Sequence, residues 1–350
     1  MAPEILLYGA TGYTGKLIIA LARERGIGLI LAGRNEAGMC GITDANNMRA
    51  RIFGLDDRSS LESALANVAV VLHCAGPFSL TSQAMVDACI RTGTHYLDIS
   101  GEIDVFEACA ARSVEAADRG VMLLPGVGFD VVPSDCLAAH AASRVAAPQH
   151  LTLAIAGPTK MSRGTAKTAI EGIGQAIQVR RNGQISTLKK PIRRDIDFGD
   201  RKTACVSISW GDVATAYYST GAADIEVLFQ STRQLEQAVG LNPFLRFLLS
   251  TGLAQKLLKR QADKQPEGPN VTERAQGSTT ILAEVTGANG DEARAILRTP
   301  EAYSLTADSA LTIATRVAAG DHKPGFQTPS LAFGADFVLD LDGVTREDVG

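Results

Sequence analysis

The sequence predicts an α/β fold in which a doubly wound parallel sheet is followed by a second α+β domain with an open mixed sheet. Three observations carry this. Apolar residues 5–8 run into Gly9-Ala-Thr-Gly12-Tyr-Thr-Gly15 and then into an amphipathic stretch over 16–25. That order of strand, glycine turn and helix brings backbone N–H groups and a positive helix end up to a phosphate. The first 125 residues continue to alternate short apolar runs with helix-period segments, as parallel strands covered on both faces do. After Pro125 the alternation stops, and strand and helix signals mix without βα regularity. A chain of 350 residues is also longer than one core commonly organises.

The elements follow in order. In the first helix Leu17, Leu21 and Arg25 recur at i+4 with Ile18 and Ala22 beside them, giving one buried stripe. Residues 28–33 read as the second strand and 51–55 as the third, while 35–50 lacks periodicity and reads as irregular or as a very short helix. Ser59 or Ser60 caps a helix running to Ala66, and the fourth strand covers 68–74. A helix over 82–91 leads to the fifth strand at 95–99; one helix spans 105–117, and 121–124 is the sixth strand. Beyond it come helices at 135–145, 165–179 and 300–319, strands at 151–156, 204–210, 225–230, 279–286 and 292–298, and a charged loop at 261–272. Residues 1–130 are thus read as a dinucleotide-binding, Rossmann-type domain and 131–300 as a second domain, with 301–350 a helix and tail returning to the first. Residues 244–260 read as an amphipathic helix with Phe244, Phe247, Leu248, Leu253, Leu257 and Leu258 on one face. It is a core helix, a lid over an apolar substrate, or a peripheral membrane contact.

Bulk properties exclude several classes. A net charge of -4 with no concentrated basic face gives no support to nucleic acid as a partner. Six cysteines lie far apart without a CxxC pair and read as reduced core thiols, and five histidines show no metal-ligand spacing, so no metal is expected. Residues 1–4 lack a basic n-region and no run is long and apolar enough to span a membrane, so the reading is cytoplasmic. A homodimer is compatible with the sequence, which does not fix the oligomeric state.

Candidate site residues sit at the strand ends. Gly9 permits the turn, Gly12 the close approach of a pyrophosphate and Gly15 close helix–strand packing, with Thr11, Tyr13 and Thr14 in the same cradle. Arg34-Asn35 closes the second strand, where an NAD site usually places Asp or Glu; an arginine there suits the extra phosphate of NADP(H), because guanidinium meets phosphate in a planar fork. Asp56 is an adenine-side candidate. Ala75, Gly76, Pro77 and Phe78 follow the fourth strand, where small residues admit the cofactor and Pro77-Phe78 shape the ring pocket. His73, inside an apolar strand, reads as a core histidine. Asp130, flanked by apolar residues, is the candidate proton donor with a raised pKa. The alternative is that Asp130 orders the glycine turn, with Ser134 or Asp135 capping the next helix. Tyr96 and Glu102 are further candidates for chemistry, and backbone N–H groups over 126–128 for polarising the acceptor.

In their shared order, several segments resemble the saccharopine dehydrogenase-like oxidoreductases, specifically the trans-acting enoyl reductase branch. They are Tyr8-Gly-Ala-Thr-Gly-Tyr-Thr-Gly-Lys16, Leu31-Ala-Gly-Arg-Asn35, Cys74-Ala-Gly-Pro-Phe78, Tyr96-Leu-Asp-Ile-Ser-Gly-Glu102 and Gly128-Phe-Asp-Val-Val-Pro-Ser-Asp135. Arg163-Gly-Thr-Ala, Gly268-Pro near Arg274 and Thr328-Pro-Ser-Leu-Ala-Phe-Gly334 extend the likeness over most of the chain. The resemblance implies an NADPH-binding domain, a mixed second domain and reduction of a C=C or C=N bond. Relatives of the enoyl type act on acyl chains, and lysine-pathway relatives reduce an imine. The chain departs from the family after Asn35, where a regular helix is usual, and at Asn270-Val271-Thr272, where acidic residues are common. The expected activity is NADPH-dependent reduction of an enoyl bond in an apolar substrate. The alternatives are imine chemistry on an amino acid, for which Lys160, Arg163 and Lys167 are available, and a non-catalytic NADP-binding sensor or partner protein.

Overall fold

The computed structural model describes residues 4–46, 48–157 and 160–349; Met1–Pro3, part of the segment read for targeting signals, lie outside them. By contacts the chain divides into two compact units, one of residues through Val132 with Tyr303–Gly334, the other of Pro133–Ala302 with the tail from Ala335.

The first unit contains β1 (Ile5–Tyr8), α1 (Tyr13–Glu24), β2 (Leu29–Gly33), α2 (Glu36–Asn46), β3 (Arg49–Ile52), α3 (Arg58–Leu65), β4 (Val70–His73), α4 (Phe78–Thr92), β5 (His95–Asp98), α5 (Ile103–Ala111), α6 (Ser113–Asp118) and β6 (Met122–Leu124). α7 (Val132–Ala142) leads away from it. Strands β1, β4, β5 and β6 are buried along their whole length, as the unbroken apolar runs require. All pairings are parallel, and the order reverses between β1 and β4, the point where ligands bind in such sheets. At the edge, β3 carries Arg49 and Arg51, both paired with Glu4, a charged border that discourages further strand addition.

The second unit adds β7 (Pro148–Ala156), α8 (Arg163–Gly172), β8 (Gln178–Arg181), β9 (Gln184–Thr187), β10 (Arg193–Asp197), β11 (Lys202–Ser207), α9 (Asp212–Thr220), β12 (Asp224–Gln230), α10 (Arg233–Val239), α11 (Pro243–Ser250), α12 (Gly252–Ala262), α13 (Val271–Gln276), β13 (Ser278–Gly287) and β14 (Glu292–Pro300). Then α14 (Ala302–Ala318), β15 (Gly325–Phe326) and α15 (Pro329–Phe333) bring the chain into the first unit, where β15 pairs with β6. The closing strand β16 (Thr345–Asp348) pairs with β14. One face of this mixed sheet packs Ala154, Ile196, Phe198, Cys205, Leu228, Leu282 and Ile296 together. Farther along the same face Arg194, Glu226, Glu284 and Arg294 form cross-strand ion pairs, each two residues from a member of the apolar cluster.

Several sequence expectations are corrected. The segment after Asn35 is the regular helix α2, started by the Asn35 side chain, whose Oδ1 accepts from Gly38 N–H at 3.2 Å, and seated by fully buried Met39. Asp57, not Ser59 or Ser60, caps α3, accepting from the N–H groups of both. The single helix over 105–117 is two, α5 and α6, divided at Arg112. Ser134 and Asp135 lie inside the first turn of α7 instead of capping it, and Ser134 Oγ donates to Asp212 at 2.9 Å. The helix at 165–179 ends at Gly172; Val179 belongs to β8, which turns into β9 with Asn182 at φ 50° and Gly183 at φ 76°. The Asn-Gly pair is the usual hairpin signal. The 261–272 loop contains the end of α12 and the start of α13. The tail from Ala335 departs from the expected return, since β16 joins the second sheet.

Candidate cofactor and proton-donor site

The first βα corner is built from close backbone contacts. Gly9 sits at φ 90°, and a Cβ there would come within 2.8 Å of the Cys74 carbonyl carbon. A Cβ on Gly15 would meet the Gly9 carbonyl oxygen at 2.5 Å. Both positions exclude side chains, so β4, the turn and α1 can pack together. Gly12 caps α1 with no side chain of its own, so the helix start keeps its partial positive charge for an incoming anion. Tyr13 is the first helical residue, and its ring meets that of Tyr303 edge-on with centroids 5.2 Å apart. Thr11 and Asn35 both lie close to Gly38, where a Cβ would meet each of them.

Arg34 is exposed just past β2, and it has no ion pair or hydrogen bond among the described residues. It and Asp56 both act on buried Tyr8. Burial raises the Tyr8 phenol above its ordinary pKa, Arg34 opposes that rise and Asp56 adds to it. Arg34, Asn35 and Asp56 therefore gather at the ends of β2 and β3, beside the glycine turn.

The end of β4 is fixed by Thr81, whose hydroxyl donates to the carbonyls of Ala75 at 2.9 Å and Pro77 at 3.0 Å and lies 3.0 Å from His73 Nε2. Burial drives His73 down to about 3, so it is a neutral core residue. The Gly76–Pro77 peptide is cis, and Phe78 opens α4. Glu102 accepts from the N–H groups of Phe78 at 2.9 Å and Ser79 at 2.7 Å, so its carboxylate closes the positive start of α4.

Asp98, which the sequence placed only inside a motif, ties β5 to β6. It accepts from Tyr96 Oη at 2.6 Å, Ser100 N–H at 2.8 Å and Gly126 N–H at 2.9 Å, and its carbonyl accepts from Val127 N–H at 2.7 Å. Burial outweighs these bonds and lifts its pKa to about 6. This corrects two expectations. Tyr96 is fully buried with its hydroxyl committed to Asp98, and the Gly126 and Val127 N–H groups are committed there too, leaving neither to polarise an acceptor.

Asp130 is half-buried against Gly101, where a Cβ would come within 2.7 Å of Oδ2. Desolvation first, and then the Glu102 charge, raise it to about 7. The loop before it is propped by α14. Phe129 N–H donates to Thr306 Oγ1 at 3.0 Å, and Ser309 Oγ donates to the Val127 carbonyl at 2.8 Å. Thr306 and Ser309, far along the chain, carry no sequence signal for this role.

The corner thus presents glycine-lined backbone, a bare helix start and an unpaired guanidinium, a donor set that fits a dinucleotide phosphate and a 2′-phosphate. A family model described as the saccharopine dehydrogenase NADP binding domain matches residues 5–124. Over residues 5–124 the chain is similar to that NADP-binding domain. NADP(H) is the cofactor of this domain.

Curated relatives extend the comparison. The chain is 27% identical over 213 residues to a human saccharopine dehydrogenase-like oxidoreductase, covering 53% of this chain and 49% of that protein. It is 33% identical over 141 residues to a trans-acting enoyl reductase of Mycobacterium leprae, covering 38% of this chain and 34% of that protein. The chain therefore spans about half the length of the human relative. A saccharopine dehydrogenase (L-Glu forming) from Saccharomyces cerevisiae matches 99% of this chain and 100% of its own with a TM-score of 0.68. At 12% identity that is a likeness of fold.

Proposed function

We propose that the protein is an NADPH-dependent reductase of an enoyl C=C bond in an apolar, acyl-type substrate. When bound, NADPH supplies the hydride. The α1 start and the Gly9–Gly12 backbone hold its pyrophosphate, and Arg34 pairs with the 2′-phosphate. Asp130 keeps a proton on its carboxyl in roughly half of the molecules at neutral pH and delivers it to the carbon left carrying negative charge. Its pKa of about 7 is that of an acid matched to this task. Asp98 positions the 126–130 loop and Glu102 keeps the Asp130 carboxyl in its protonated form.

Asp130 is the observation that carries the reaction. The cations of the second unit favour the enoyl reading over amino-acid chemistry. Lys160 pairs with Glu273 at 2.8 Å, Arg163 with Glu267 at 3.3 Å and Lys167 with Asp263 at 2.6 Å, so all three are neutralised instead of awaiting a dicarboxylate. Arg34→Ala should raise KM for NADPH about ten- to a hundredfold, the worth of a charge-assisted contact, with little change for NADH. Equal effects on both coenzymes refute the assignment. Steady-state assays with an enoyl thioester and with an imino acid separate the two chemistries. Coenzyme that binds but is oxidised by neither acceptor would favour a sensor.

A further inference from the structure

The helix pair α11–α12 is amphipathic in the reverse sense. Residues 244–260 form two helices divided at Thr251, and their large apolar side chains face outward. Phe244 is 76% exposed, Phe247 70% and Leu253 74%, with Leu248 and Leu257 also exposed. Arg246, Gln255 and Lys259 turn toward the protein instead. Arg246 donates to the carbonyls of Leu241 at 3.1 Å, Gln175 at 3.2 Å and Val239 at 2.8 Å. On α12, Gln255 donates to the Ile170 carbonyl at 3.1 Å and Lys259 pairs with Glu171. The protein fixes these helices with half-buried polar contacts and leaves their greasy face to solvent, contrary to what folding alone favours. The core-helix expectation is overturned for this face.

The surrounding charge is one-sided. Residues 243–264 contain Arg246, Lys256, Lys259, Arg260 and Lys264 against one acid, Asp263, in a chain of net charge -4. Asp263 is itself neutralised by Lys167. Lys256 and Arg260 on α12, and Lys189 and Lys190 on the adjoining segment, are exposed without an ion-pair partner among the described residues. Beside them lies a hollow of about 630 Å³, lined by Ile177, Leu188, Leu241 and Phe247 with Lys189 and Lys190.

We propose that α11–α12 is a peripheral docking surface for an anionic phospholipid bilayer. Phe244, Phe247, Leu253 and Leu257 insert at the level of the acyl boundary, and Lys189, Lys190, Lys256 and Arg260 meet lipid phosphates. Protruding aromatic and leucine side chains ringed by unpaired cations fit a fluid anionic surface, which adapts to them. The inference rests on the second unit alone and is independent of the reaction proposed above.

Co-sedimentation of the full chain with vesicles tests it, using phosphatidylcholine alone and phosphatidylcholine mixed with phosphatidylglycerol. Binding is expected to the mixed vesicles, reduced by high salt. The exposed double variant Phe244→Ser/Phe247→Ser should weaken it about tenfold or more, as should Lys256→Glu/Arg260→Glu. Circular dichroism and unchanged NADPH affinity report that both variants fold. No sedimentation with either vesicle, equal sedimentation with both, or binding untouched by the variants overturns the proposal. So does a concentration-dependent dimer that the variants dissociate without any vesicle binding, which would make this face a contact between copies.

Discussion

Asp130 owes its proton to where it sits. An aspartate in water is ionised at pH 7; here desolvation and the neighbouring Glu102 raise it from 3.8 to about 7. Because the folded-state pKa lies above the unfolded one, the stability linked to this group is fully present below about pH 4 and is lost as pH rises through about 7. Asp130→Asn should then melt higher than the parent at pH 8, by on the order of 1–3 kcal/mol after screening, and lose that advantage at pH 4. Its kcat should fall about 10²- to 10⁴-fold, and its pH profile should lack the descending limb near 7 expected of the parent. A stable variant that keeps both rate and limb removes Asp130 from the chemistry. The sequence suggested the residue through its apolar neighbours, and the same logic misjudged Tyr96. Two residues apart on β5, Tyr96 and Asp98 point to the same side and bind each other, a pairing that period-two alternation implies but residue types alone do not announce.

Among the elements, the α4 start shows how a helix cap and a titrating acid share one carboxylate. Glu102 satisfies the N–H groups of Phe78 and Ser79 and at the same time lifts Asp130. Glu102→Gln keeps an acceptor but removes the charge. It should cost about 1 kcal/mol in thermal unfolding and move the descending limb of the rate to lower pH, since the raising charge is gone. A limb that stays in place uncouples the two residues. Elements with a strong local pattern were legible in the sequence: the buried parallel strands, the glycine corner and α14. The failures have local causes. α2 depends on an Asn35 cap and one buried Met39 instead of an apolar stripe, and β8–β9 depends on a two-residue turn between half-buried strands. Residues 244–260 carry a true amphipathic pattern whose apolar side turns outward, and no sequence period records which way a face turns.

For the molecule as a whole, the cofactor corner belongs to the unit that holds all of sheet order β15-β6-β5-β4-β1-β2-β3. NADPH binding to that native unit stabilises it by mass action, about 2.7 kcal/mol at a hundredfold excess over Kd. Differential scanning fluorimetry should show a rise in Tm with NADPH that exceeds the rise with equimolar NADH, and Arg34→Ala should bring the two together. Equal shifts in the parent would show that nothing in the corner reads the 2′-phosphate.

The props of the 126–130 loop, Thr306 and Ser309, are supplied by α14, about 180 positions after the strands they serve. During synthesis, then, every residue of the nucleotide corner is made well before the two hydroxyls that brace this loop. A fragment cut before α14 would keep the glycine turn and lose that brace.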